Sequence, residues 1–296
     1  MNTDRHGFVL RSAVLAAVLL VITSAASGQA PTAKPLAPNV VEHKFNSKLM
    51  GRDMPYRVIL PAGYTDAKAT SRHPVIYLLH GLTGHFNNWT DSTKVEEYAL
   101  ASKFIIVTPE GDNGWYTDSV TKATDKYESY IVKELIPEIE AKYRVIADRD
   151  NRMIAGLSMG GYGATKFGLK YPEMFSIIGA FSGALGAASF TEKNAATAGR
   201  GIDSIMGAED AESRKANDIF KLVRELTPER IKALPFIYQS CGTEDFLIQN
   251  NREFMMLLVE RKVPHEYRQH PGVHNWVFWD DQIREFLQVA ERRMKK

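Results

Sequence analysis

Apolar residues recur along this chain in two rhythms. Short unbroken runs, "HPVIYLLHG" from residue 73 and "FIIVTPEG" from residue 104, read as strands buried on both faces. "RVILP", "RMIAG", "FSIIGAFSG", "LPFIYQSCG" and "HEYRQHPG" read as further strands. Between them lie longer stretches of helical pattern: "DSTKVEEYALASK", "DKYESYIVKELIPEIEAKY", "MGGYGATKFGLKYP", "NNREFMMLLVERK" and "NWVFWDDQIREFLQVAERR". In the second of these, Tyr127, Tyr130, Ile131, Leu135 and Ile139 share one stripe. Asp125 with Glu128 resembles a capping pair at its start, and Pro137 is expected to kink it or end its first segment. Buried strands alternating with helices predict an α/β fold, a mostly parallel central sheet with helices on both faces.

Two stretches break the rhythm. Residues 186–232 are first rich in glycine and alanine, then strongly charged. They are expected to form a small lid-like insertion above the C-terminal edge of the sheet, where ligands bind in such folds. The N-terminus carries Arg5 and Arg11, then "AVLAAVLLVITSAA" and the small residues "SGQA". Residues 1–30 therefore read as a cleavable export signal, the apolar run being short for a spanning helix. An uncleaved anchor is the rival reading. No cysteine lies near the cleavage point, which disfavours a lipid anchor. Proline-rich residues 31–40 read as a disordered leader, and 41–296 as the folded domain. The mature protein is expected to have no stable membrane insertion.

Composition narrows the chemistry. A net charge of +2 gives no basic face for nucleic acid. The single cysteine, Cys241, cannot form an internal disulfide or a cysteine-rich zinc site, and reads as a buried small hydrophobe.

One motif carries chemistry. Gly156, Ser158 and Gly160 form G-x-S-x-G between the strand "RMIAG" and a helix. Such a sharp turn strains its central residue and lifts the side chain clear of the sheet, while glycine neighbours relieve the crowding. Ser158 is thus a nucleophile candidate, and the Met159 N–H at the helix start points at a developing oxyanion. A serine hydroxyl needs a base. Of the histidines after Ser158, His265 and His270 bound a strand, whereas His274 occupies a glycine-containing loop before the last helix. The carboxylate that orients it is expected from "CGTEDFL", Asp245 favoured over Glu244. A second oxyanion donor is expected from "LLHGLTGHFNNW", at the Leu82 N–H, with Gly81 and Gly84 permitting close approach. His80 and His85 could pose as metal ligands, but without a convincing partner set no metal is expected.

Beyond these single features, the chain resembles the esterase D family of α/β-hydrolases. That group includes S-formylglutathione hydrolases, feruloyl, acetylxylan and tributyrin esterases, and mycolyltransferases. The resemblance spans residues 41–290 and rests on "HGLTGHFNNW", "GDNGWYTDS", "YESYIVKELIPEIE", "GLSMGGYGATKFGLKYP", "CGTEDF" and "PGVHNWVFW". It implies the α/β-hydrolase fold and a serine carboxylesterase without metal or cofactor. The family's nucleophile, acid and base match Ser158, Asp245 and His274, and its oxyanion donors match Leu82 and Met159. Trp115 and Tyr116, in "GDNGWYTD", are candidates to line the substrate cleft. The expected substrate is a short-chain acyl, acetyl or hydroxycinnamoyl ester, small or carbohydrate-linked. An acyltransferase using the same triad, and a non-catalytic carbohydrate-binding protein on a hydrolase scaffold, are the alternative functions.

Overall fold

A computed structural model of the chain describes residues 35–294. Among the described residues, eight strands form one sheet in the order β1-β2-β4-β3-β5-β6-β7-β8. They are β1 (Val40–Ser47), β2 (Arg52–Ile59), β3 (Val75–Leu79), β4 (Ile105–Pro109), β5 (Arg152–Leu157), β6 (Ile177–Phe181), β7 (Phe236–Gly242) and β8 (His265–His270). Both pairings of β2 are antiparallel, and every pairing from β4 to β8 is parallel. The strands predicted from the apolar runs are all present. β1 was not foreseen: alternate polar residues Glu42, Lys44 and Asn46 dilute its pattern, as suits an edge strand.

Period-two alternation divides the strand side chains between two cores. Val75, Tyr77 and Leu79 of β3 enter one, and Ile76 and Leu78 the other. The first core receives α3 (Tyr127–Tyr130), α4 (Ile136–Lys142), α5 (Met159–Lys170) and α10 (Ile248–Glu260). The second receives α1 (Asn88–Ser92), α2 (Val95–Leu100) and α11 (Trp276–Met294).

The tyrosine stripe is buried as its spacing predicts. Pro137 marks the start of a new segment of this helix, one of the two outcomes expected of it. A π-helical turn, Ile131–Leu135, joins α3 to α4, and Pro137 falls in the first turn of α4. Proline lacks the N–H that an α-helical interior requires, and the wider turn before it accommodates that loss. Nor do Asp125 and Glu128 cap this helix. Asp125 pairs with Arg52 at 3.2 Å, and Glu128 turns inward to Lys166 and Lys170.

The expected export signal lies outside the described residues. The leader expected over 31–40 gives way to order by Asn39, whose amide donates to Leu60 O and Glu96 O, and Val40 already opens β1. Residues 186–232 contain a 3-10 turn, Ala187–Ser189, then α6 (Glu192–Met206), α7 (Glu212–Lys215), α8 (Ile219–Arg224) and α9 (Pro228–Ala233). The buried Arg214 gathers the first half, donating to Ala188 O, Phe190 O, Gly207 O and Asp203. The second half returns to the N-terminal ends of the strands, as a parallel crossover must. No helix among the described residues is long and apolar enough to cross a membrane.

Candidate active site

The β5–α5 turn fulfils the steric expectation. Ser158 has φ +53° and ψ −116°, a region that L-residues rarely occupy. A Cβ on Gly160 would stand 2.5 Å from Leu79 O, and one on Gly156 would stand 2.6 Å from the Gly160 carbonyl carbon. Only glycine lets α5 start so close beneath β3. Backbone bonds lock the turn from both sides: the Ser158 N–H donates to Phe181 O at 2.9 Å, and its carbonyl accepts from Ala184 N–H at 2.9 Å.

β7 and β8 end at the same edge. His274 Nδ1 lies 2.8 Å from Asp245 Oδ2. Asp245 is buried and also accepts from Leu247 N–H at 2.8 Å. Burial alone would raise its carboxyl, but the bonds from His274 and Leu247 outweigh it and hold the group below its usual range. Glu244, the alternative acid, instead accepts from Gly272 N–H at 2.6 Å and so braces the loop that carries His274. The other two histidines are occupied elsewhere: His265 Nδ1 faces Val263 O, and His270 lies 3.4 Å from Glu285. Edge-to-face and tilted rings line up from Phe181 through Trp89, Trp276 and Trp279 to His274 and Phe246. Trp89 Nε1 also donates to Leu79 O at 3.1 Å, so the row joins β3 to the histidine loop.

The loop after β3 passes over the serine. A Cβ on Gly81 would lie 3.5 Å from Ser158 Cβ. Among the described residues, neither the Leu82 N–H nor the Met159 N–H has an acceptor. Glu110, unmarked in the sequence reading, pins this loop. Its carboxylate lies 3.2 Å from His80 Nε2 and 3.2 Å from His85 Nδ1, and accepts from the N–H groups of Phe86, Gly111 and Asp112. Burial opposes its charge, yet the His80 hydrogen bond and its neighbours bring the pKa down to about 2. Thr83 N–H adds a 2.7 Å bond to Asn113 Oδ1. Glu110 therefore fixes the loop that carries Leu82, whose N–H is the expected oxyanion donor. Glu110→Gln is expected to lower kcat about 10²-fold, as a misplacement near 1 Å does. KM should change little; steady-state kinetics on a nitrophenyl ester checks this, and an unchanged kcat contradicts it.

Two expectations need correction. Trp115 and Tyr116 do not line a cleft, because both are buried. Tyr116 donates its hydroxyl to His80 O at 3.0 Å, and Trp115 sets its ring edgewise on Tyr162 and Phe190. Their contacts come from residues distant in sequence, which no local pattern reveals. The ground for setting a metal aside also changes. His85, Glu110 and Asp112 place ligand atoms within 4.8 Å of one another, so carboxylate partners do exist. The Glu110 oxygens, however, are already engaged by N–H donors. Cys241 is buried as expected, and burial pushes its thiol up to about 12. A cleft of about 870 Å³ opens at the opposite edge of the sheet, beside Asn151, Ile177, Phe236 and Pro264, and contains none of these groups.

A left-handed serine between β5 and α5, with an aspartate and a histidine following in chain order, defines an α/β-hydrolase. The Esterase family model matches residues 47–288, so the chain belongs to that family of carboxylesterases. It is 29% identical to an acetyl esterase of Caldicellulosiruptor saccharolyticus, over 82% of this chain and 95% of that protein. Among solved structures, it resembles a ferulic acid esterase at 30% identity and TM-score 0.73, covering 86% of this chain and 98% of that one. It also resembles FphF, a fluorophosphonate-binding serine hydrolase of Staphylococcus aureus, at 26% identity and TM-score 0.74, covering 85% and 97%. The resemblance to the esterase D family read from the sequence is borne out.

Proposed function

We propose that the chain is an exported serine carboxylesterase working through an acyl-enzyme. The observation that carries the reading is the 2.8 Å His274–Asp245 pair at the sheet edge where Ser158 occupies its left-handed turn. With Nδ1 turned to Asp245, His274 keeps Nε2 for the serine. Ser158 Oγ attacks the ester carbonyl carbon as Nε2 takes the hydroxyl proton. The Leu82 and Met159 N–H groups hold the oxyanion, and Asp245 stabilises the imidazolium. The bond to the alcohol oxygen breaks and Nε2 returns the proton to that oxygen. Water then repeats the sequence on the acyl-enzyme and releases the acid.

The names of the relatives support acetyl and hydroxycinnamoyl esters as substrates. Hydrolysis of nitrophenyl acetate, butyrate and octanoate, set against methyl ferulate, ranks the acyl preference. Turnover of none of them by folded protein contradicts the reading. Export is supported by Arg5, Arg11 and the apolar run after them. Protein recovered outside the cytoplasm should begin near residue 31, and retention of residues 1–30 there overturns cleavage.

A pH profile follows from the electrostatics. The Asp245 carboxyl lies below its usual range, so it stays charged while an imidazole titrates. The acid limb of kcat/KM should therefore not report Asp245, and activity should fall as pH falls because the base must be unprotonated to take the serine proton. A flat acid limb, or one that two protons are needed to fit, counts against this assignment.

A further inference from the structure

Large apolar side chains left in water are common singly, but a group of them beside a reacting centre marks a surface that a ligand covers. Among the described residues, eight large hydrophobics are exposed, and three of these bracket His274. Phe246 is 76% exposed, Val277 77% and Val273 46%. The Phe246 ring stacks on the His274 imidazole with centroids 4.6 Å apart and planes tilted by 49°. Several polar atoms nearby are already committed. Glu244 holds Gly272 N–H, Asn275 Oδ1 holds Phe278 N–H, and Asp280 holds Lys94 N–H and the Tyr98 hydroxyl.

The side of the substrate that meets this rim follows from the proton's path. His274 must reach the leaving oxygen, so the alcohol part of the ester lies on the His274 side, and the oxyanion on the side of Leu82 and Met159. We propose that Phe246, with Val273 and Val277, forms the alcohol subsite, and that the preferred substrates are esters of apolar alcohols, alkyl or arylalkyl, rather than of sugars. An apolar alcohol covers the exposed side chains of Phe246, Val273 and Val277, which cannot pair with the hydroxyls that a sugar would bring against them. This rests on the assignment of Ser158 and His274 above.

The test holds the acyl group fixed and varies the alcohol. Wild-type protein is assayed on methyl acetate, benzyl acetate and a methyl glucoside 6-acetate, with methyl phenylacetate as the ester whose bulk lies on the acyl side. Benzyl acetate should exceed methyl acetate in kcat/KM by 10-fold or more, as burial of one aromatic face implies, and the sugar ester should rank lowest. Phe246→Ala should cut the benzyl-to-methyl ratio about 10-fold, and Val277→Ser should move it the same way by less. A fall of equal size on every ester would show that Phe246 merely orients His274, and overturns the proposal. A change confined to methyl phenylacetate assigns the rim to the acyl side and overturns it too. Serine-dependent turnover without discrimination among alcohols defeats the subsite alone, whereas turnover that survives Ser158→Ala defeats the mechanism beneath it.

Discussion

Ser158→Ala is expected to reduce kcat/KM by about 10⁵- to 10⁶-fold and to leave the fold unchanged. The bonds that hold the turn are backbone bonds, Ser158 N–H to Phe181 O and Ala184 N–H to Ser158 O, and alanine keeps both. The crowding that demands glycine at positions 156 and 160 involves main chain, not the hydroxyl. Alanine is no worse than serine at φ +53°, since both carry a single Cβ. A residual rate about 10³-fold above water is expected, because the proposed oxyanion donors at Leu82 and Met159 survive. The check is kcat/KM on nitrophenyl acetate beside a thermal melt. A loss under about 100-fold with an unchanged melt would remove Ser158 from the nucleophile's place.

The second large effect concerns stability. Lys166 is fully buried in α5, and its ammonium donates to Glu128 at 2.8 Å, Tyr116 O at 2.7 Å and Thr117 Oγ1 at 2.6 Å. Glu128 also takes Lys170 and the Tyr171 hydroxyl. Burial lowers the Lys166 pKa to about 8 against the pull of Glu128, whose own pKa falls to about 2 under its two lysines despite burial. Lys166→Met leaves Glu128 half-paired and orphans the Tyr116 carbonyl, while the Thr117 hydroxyl keeps only its bond to Trp115 O. A loss of about 3–5 kcal/mol is expected, or roughly 10 °C in melting temperature for a domain of this size. Replacing the partner as well, Lys166→Met with Glu128→Leu, should recover much of it, because no fully buried charge is then stranded and the partly exposed Lys170 can turn to water. The acid dependence has a definite sign. A depressed carboxyl stabilises fully above its unfolded pKa, near 4.5, and loses that contribution as pH falls towards 2. Denaturant melts at pH 7 and pH 3 read both effects. A Lys166→Met protein as stable as wild type at pH 7 would show that the pair contributes nothing.

What was legible in the sequence was what local pattern controls. The continuous apolar runs marked β3 and β4, and G-x-S-x-G marked the elbow, because steric rules act over a few residues. His274 and Asp245 could be found because chain order in a parallel sheet fixes which loops reach one edge. Glu110 was invisible: its partners His80 and His85 lie some 25–30 residues away, and nothing in "TPEGD" announces them. Trp115 was misplaced for the same reason, since Tyr162 and Phe190 bury it from other elements. Phe246 gave no signal because exposure is a property of the folded surface. β1 escaped because its apolar positions alternate with charges.

The aromatic row from Trp89 to His274 separates two kinds of inheritance. Of its inner rings, Phe181, Trp89 and Trp279 are buried and Trp276 partly so, and Trp89 is tied to β3, so a change at Trp276 would disturb β3 and the histidine together. Its last ring, Phe246, is largely exposed and stacks on the imidazole. Selection could therefore rewrite residues 246, 273 and 277 freely, fitting the enzyme to new alcohols, while the chemistry behind them stays out of reach of the same substitutions.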